Sequence, residues 1–175
     1  MNVKDLSLFL DSQEFKTICH TLYGKQFSLN QKERYLNAIR KYQTKFEQVE
    51  DLHLFSASGR IEVCGNHTDH QLGQVIAAAI HLDTIAIVSK NNLNRIRVIA
   101  EGYDIKEVDL SDLSIHKDEY FTSMALIRGI AFYVKEISAS LGGFDAYISS
   151  DVFSGSGLSS SASFEVLIAE ILNQL

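Results

Sequence analysis

The stretch that most constrains the fold is Gly155-Ser156-Gly157-Leu158-Ser159-Ser160-Ser161-Ala162. Phe144–Ser149 before it reads as a strand, and the apolar run from Phe164 to Leu172 after it has helical spacing. A chain that passes from strand to helix through two glycines must turn sharply, and glycine tolerates the positive φ such turns require. The serines can cap the helix, and the first-turn N–H groups, which have no partner inside a helix, point outward. Those groups and the helix dipole favour an anion, most often a phosphate. The same residues would also serve as a turn and an N-cap with no ligand, so the stretch alone leaves both readings open. It is not a G-x-x-x-x-G-K-[ST] loop, because it has no lysine. It also lacks the third glycine and the acidic partner about 20 residues on that a dinucleotide fingerprint has.

The rest of the chain sets bounds. Its 175 residues suit one domain or slightly more, and 46% hydrophobic with 22% charged residues is an ordinary globular composition. A net charge of −6 argues against non-specific binding to nucleic acid or anionic membrane. Cys19 and Cys64 have no metal-ligand spacing, which fits a reduced, cytoplasmic protein. The apolar cluster Leu6–Leu10 is too short and too acidic in its flanks for a secretory leader, and no apolar run approaches the ~18 residues of a membrane span. Proline is absent where about nine would be usual.

In chain order, residues 2–23 read as one or two short helices with Leu6, Phe9, Phe15, Ile18 and Leu22 apolar. Asn30-Gln31-Lys32-Glu33 has the form of a capping box opening a further helix, with Tyr35, Ala38, Ile39, Tyr42 and Phe46 on one face. From Leu54 the pattern becomes strand-like. Ile61 and Val63 alternate with polar residues, Val75–Ile80 is apolar and small, and Thr84–Val88, Ile96–Ala100 and Ile105–Leu110 read as strands. Leu113–Glu119 is a polar connection. Tyr120–Leu141 is helical, with Met124, Ile127, Ala131, Val134 and Leu141 on one stripe, and Gly142-Gly143 stops it. The expected class is α+β, a mixed sheet packed with helices, with a helical lead-in over 1–50 and the main domain over 51–175.

A second polar constellation lies at Gly59-Arg60 and Gly65-Asn66-His67-Thr68-Asp69-His70. His67 and His70 beside Asp69 offer only two imidazoles in a turn-rich segment, a poor metal set. Asp69 and Thr68 could simply satisfy local backbone groups. Alternatively, a short carboxylate, an amide and imidazoles suit directional pairing with sugar hydroxyls, and Arg60 could stabilise charge on a transferring phosphoryl group.

Together the two stretches resemble the galactokinase branch of the GHMP kinases. Gly59-Arg60-Ile61-Glu62-Val63-Cys64-Gly65-Asn66-His67-Thr68-Asp69-His70 resembles that family's G-R-[hydrophobic]-x-x-x-G-E-H-T-D-Y. Phe153-Ser154-Gly155-Ser156-Gly157-Leu158-Ser159-Ser160-Ser161-Ala162 resembles its P-x-G-x-G-L-S-S-S-A. The resemblance covers residue 54 onward and implies a GHMP-type N-terminal domain. It implies transfer of the ATP γ-phosphoryl group to the anomeric hydroxyl of galactose with Mg²⁺, so the expected partners are a sugar and ATP. By motif position Arg60 would assist transfer, Asn66, His67 and Asp69 would hold the sugar, and Gly155, Ser156, Gly157, Leu158, Ser159, Ser160 and Ser161 would wrap the phosphates. Ser161 would contact Mg²⁺. Asn66 replaces the family's glutamate, His70 its usual tyrosine, and Ser58 and Phe153 stand where prolines are common. Losing the glutamate charge leaves a galacturonate or N-acetylgalactosamine kinase as the alternative. Fourteen residues follow Ser161, whereas the family's catalytic aspartate lies some tens of residues beyond this motif. The expectation is therefore an inactive N-terminal portion of a kinase, or a non-catalytic sugar or nucleotide sensor.

Overall fold

The computed structural model describes residues 1–46, 50–65, 72–137, 141–153 and 155–175. Three helices come first: α1 (Val3–Asp11), α2 (Gln13–Phe27) and α3 (Gln31–Lys45). The strands β1 (His53–Cys64), β2 (Ile76–Asn91), β3 (Arg95–Ala100) and β4 (Lys106–Asp109) follow. Then come α4 (Ser123–Ile137), β5 (Gly143–Ser150) and α5 (Ser160–Gln174). The sheet order is β1-β2-β5-β3-β4, mixed because β3 and β5 run parallel while the other neighbours are antiparallel. This is the α+β arrangement expected of the sequence.

Strand alternation assigns the two faces. Ile85, Ile87, Ile99 and Tyr147 point toward α1–α3, where Leu6, Leu10, Phe15, Tyr35, Ile39 and Tyr42 cover them. Ala86, Val88, Ile96, Val98, Phe144, Ala146 and Ile148 point the other way, against Ile127 and Ala131 of α4 and Leu167, Ile168 and Ile171 of α5. Ser163 and Thr84 are buried polar residues on this second face. The Ser163 hydroxyl donates to Ala57 O at 2.8 Å and bonds Thr84 Oγ1 at 2.9 Å, so both hydroxyls are satisfied.

Several local readings shift. Asn2 and Ser12 are the working N-caps, accepting from the Asp5 and Phe15 amides. α3 does start at Gln31, but Asn30 sits in the helical region (φ −93°, ψ −6°) and makes no side-chain cap bond. A box needs an extended cap residue, so that expectation fails. The buried stripe of α2 is Phe15, Cys19 and Tyr23, spaced four apart, while Ile18 and Leu22 face out. α4 begins at Ser123 rather than Tyr120. Gly143 does more than stop a helix. It is the first residue of β5, and a Cβ there would lie 2.5 Å from Asn91 Oδ1 and 2.6 Å from Arg95 O. Beyond the sheet, the ends of β1 and β2 continue as a two-stranded ribbon with Ile61, Val63 and Ile76 exposed.

Candidate functional site

β5 ends at Ser150 and α5 begins at Ser160, so the glycine–serine stretch is the loop joining a central strand to a helix. Gly155 (φ +78°) and Gly157 (φ +77°) both adopt the left-handed conformation, and Ser159 does so too (φ +61°). Among the described residues, and apart from its own chain neighbours, no atom lies within 4 Å of where a Cβ would stand on either glycine, so this space is open for a ligand to approach the backbone.

The serines divide their work. Ser156 spends its hydroxyl inside the loop, donating to Phe153 O at 2.6 Å. Ser159 occupies the N-cap position but makes no cap bond. Its Oγ instead accepts from Arg60 Nε at 3.0 Å. Ser160 is half-buried and Ser161 exposed, both in the first turn of α5, where the helix ladder leaves the N–H groups unpaired.

The two motifs meet here. The Arg60 amide donates to Leu158 O at 3.1 Å, beside the side-chain bond to Ser159. Gly59 permits this contact, because a Cβ on it would lie 3.0 Å from Val152 Cγ2 and 3.1 Å from Leu158 O. The Ser156 and Leu158 amides are engaged inside the loop, with Phe153 O and Ser156 Oγ, so the guanidinium is fixed beside the first-turn N–H groups of α5, an arrangement suited to polyanionic phosphate. A cleft of about 780 Å³ opens beside the start of α5, lined by Val98, Ala100, Tyr103, Phe121, Ser160 and Phe164 among others.

Asn66, His67, Asp69 and His70 lie outside the described residues, as does Ser154. The flanks of that segment are tightly joined: a Cβ on Gly65 (φ +113°) would lie 2.6 Å from Gln74 O. Gly65, the last described residue before that segment, follows the end of β1 and lies five residues past Arg60.

Behind the loop lies a polar group that sequence reasoning missed. Asp83, buried on β2, accepts from Tyr23 Oη at 2.7 Å, Ser56 Oγ at 2.5 Å and Arg34 at 2.5 Å. Burial pushes the Tyr23 phenol far up, reinforced by Tyr35 and Asp83, so it remains a donor. Burial opposes the Arg34 charge, but Asp83 and then Asp151 more than offset it and hold the guanidinium above its ordinary value. The hint in the sequence was an aspartate directly preceding the strand Thr84–Val88, a position where a buried carboxylate needs a partner.

Known proteins resemble this chain in sequence signatures and in fold. A family model for the galactokinase galactose-binding signature matches residues 40–90, and one for the N-terminal domain of GHMP kinases matches residues 125–175. The chain belongs to the GHMP kinase family. Among solved structures, a Lactococcus lactis galactokinase complexed with galactose superposes with a TM-score of 0.71 at 26% identity, over 81% of this chain and 38% of that one. A Methanococcus jannaschii mevalonate kinase shares the GHMP fold at a TM-score of 0.58 and 16% identity, over 73% of this chain and 41% of its own. A Streptococcus pneumoniae phosphomevalonate kinase in complex with phosphomevalonate and AMPPNP gives 0.51 and 21%, over 70% and 36%. The chain spans less than half the length of the GHMP kinases it matches. Among the described residues no helix is long and apolar enough to cross a membrane, and Cys19 and Cys64 are free thiols.

Proposed function

We propose that this chain carries the phosphate cradle and sugar loop of a galactokinase-like sugar kinase. Such an enzyme transfers the ATP γ-phosphoryl group to the anomeric hydroxyl of galactose, giving galactose-1-phosphate, in the cytoplasm. The observation that supports this most is the docking of Arg60 on Ser159 and Leu158, beside the first turn of α5, within a chain whose residues 40–90 match the galactose-binding signature.

In this reading the glycine backbone at Gly155 and Gly157 and the first-turn N–H groups of α5 hold the β- and γ-phosphates, and Arg60 draws charge from the transferring group. Tyr103, Phe121 and Phe164 offer flat apolar surface for the nucleotide base in the adjoining cleft. The exposed Ser161 hydroxyl is a hard oxygen donor. That suits Mg²⁺, which keeps several waters and takes its other ligands from substrate phosphates. Mg²⁺, when bound, supplies charge neutralisation on the phosphates. Asp69 accepts from adjacent ring hydroxyls, His67 steadies the sugar or its loop, and Asn66 pairs with the group at C6.

Asn66 also supports a second reading, a galacturonate kinase, because a neutral amide repels a C6 carboxylate less than glutamate would. Steady-state kinetics of the full-length enzyme on galactose and galacturonate separate the two. Galactose is the expected better substrate, and Asp69→Ala should raise its KM at least about tenfold with little change for ATP, since a hydroxyl bond to a charged acceptor is worth about 1.5–3 kcal/mol. A parent enzyme that prefers galacturonate moves the assignment to the second reading. Unchanged sugar kinetics in Asp69→Ala would remove the sugar site from this loop.

A further inference from the structure

We infer that Arg34, on α3, is a positioning residue for the nucleotide loop: it holds the point where β5 hands the chain to that loop. This rests on the proposal that the loop binds ATP.

The sheet opens at this point. The β2–β5 ladder ends at the pair Thr84 and Ser150, so Asp83 and Asp151 are the first residues beyond it on either strand. The Asp151 amide donates to Asp83 O at 2.9 Å, the last backbone link before the loop departs. Arg34 fills the gap from the α1–α3 side. One terminal nitrogen reaches Asp83 Oδ1 at 2.5 Å and Asp151 Oδ2 at 3.2 Å, and the other reaches Asp83 O at 2.9 Å and Ser149 O at 3.3 Å. A single planar fork thus fixes two backbone carbonyls and two carboxylates on two strands, which a lysine could not do. The consequence passes directly to the site. Val152, next after Asp151, supplies the side chain that Gly59 must clear, and the following residue of β1, Arg60, bonds Leu158 and Ser159. Moving Asp151 therefore moves the surface on which both motifs meet. Ser150 is fixed from the other side, where its hydroxyl bonds Thr84 Oγ1 at 2.8 Å, and Thr84 in turn bonds Ser163 of α5.

Two contributions separate cleanly. Asp83 is buried and carries stability, whereas the Asp151 side chain is 42% exposed and touches Arg34 at the loop side only. Asp151→Asn thus loosens the loop anchor while sparing the buried pair. In the full-length enzyme, Asp151→Asn should raise the ATP KM about fivefold to tenfold, because sub-ångström misplacement of a binding group is costly. The thermal midpoint should stay near the parent's, since the buried Arg34–Asp83 pair is kept. Arg34→Lys should raise the ATP KM at least as much, and it also lowers the midpoint. Calorimetric titration of each protein with MgATP would give the same order.

Loss of stability with unchanged ATP KM and affinity in both variants would overturn the positioning role and leave the nucleotide reading intact. A full-length parent that binds no MgATP would overturn the nucleotide reading and this inference with it. Should Arg34→Lys fail to fold, Asp151→Asn alone decides.

Discussion

The two faces of the sheet are built from different chemistry. The face under α4 and α5 is aliphatic, with Phe144 the one aromatic among its buried cluster. The face under α1–α3 buries Tyr23, Tyr35, Tyr42 and Tyr147 and encloses the Arg34–Asp83 pair. Arg97 joins it at the rim, reaching both carboxylate oxygens of Asp145, at 2.7 Å from Nε and 2.5 Å from the terminal nitrogen, and lying 5.3 Å from the centre of the Phe46 ring. The aliphatic face gains its stability from area removed from water and tolerates local change according to volume. The phenolic face depends on partners, because each buried hydroxyl or charge is costly when left alone. The candidate site sits where the two meet, so the polar face constrains a loop that the aliphatic face carries on α5.

The largest effect that would test this contrast is Asp83→Ala. It leaves Arg34 buried without its main counter-charge and should cost about 3–5 kcal/mol of unfolding free energy, read from denaturant midpoints at constant slope. A cost under about 1 kcal/mol would mean that the pair adds nothing beyond ordinary packing.

Gly157→Val probes the other side. Its surroundings contain no protein atom to clash, so the expected stability cost is the left-handed strain alone, on the order of 1–2 kcal/mol. Its effect on nucleotide should exceed that on folding: an ATP KM at least about tenfold higher, as the side chain enters the space a phosphate would occupy. Unchanged ATP binding would place the cradle elsewhere.

The smallest effect concerns the phenols. Burial, opposed by its 2.6 Å bond to Ser89, pushes Tyr42 up to about 12. A phenol whose folded-state pKa lies above its unfolded value near 10 favours the folded chain only while neutral. Its contribution is complete below pH 10 and disappears as pH rises toward 12. Unfolding free energy should therefore fall across that window, and the fall should be shallower in Tyr42→Phe. At neutral pH that variant should lose about 1 kcal/mol, from the unpaired Ser89 hydroxyl. An identical alkaline slope in parent and variant would remove Tyr42 from the account.

How far the sequence could be read depended on whether a signal was local. Strands over Thr84–Val88, Ile96–Ala100 and Phe144–Ser149 and the helix after Ser159 were legible, because two-residue and 3.6-residue periods are written in neighbouring positions. So was the glycine–serine loop, because positive φ at Gly155 and Gly157 is a property of the residues themselves. The capping box at Asn30 misled because a side-chain pattern does not fix the φ and ψ of the residue bearing it.

What the sequence by itself determined, then, is the order of elements, which side of each strand is apolar, and the presence and spacing of the two motifs. Only the tertiary structure decided that Arg60 closes on Ser159 across 99 residues, that Arg34 and Asp83 find each other across 49, and that the lead-in helices cover the back of the same sheet that launches the loop. Such pairings bring distant segments together at an entropy cost that depends on the whole path of the chain. No short window of residues records that path, and it became visible only when the β1–β2–β5 order placed those strands side by side.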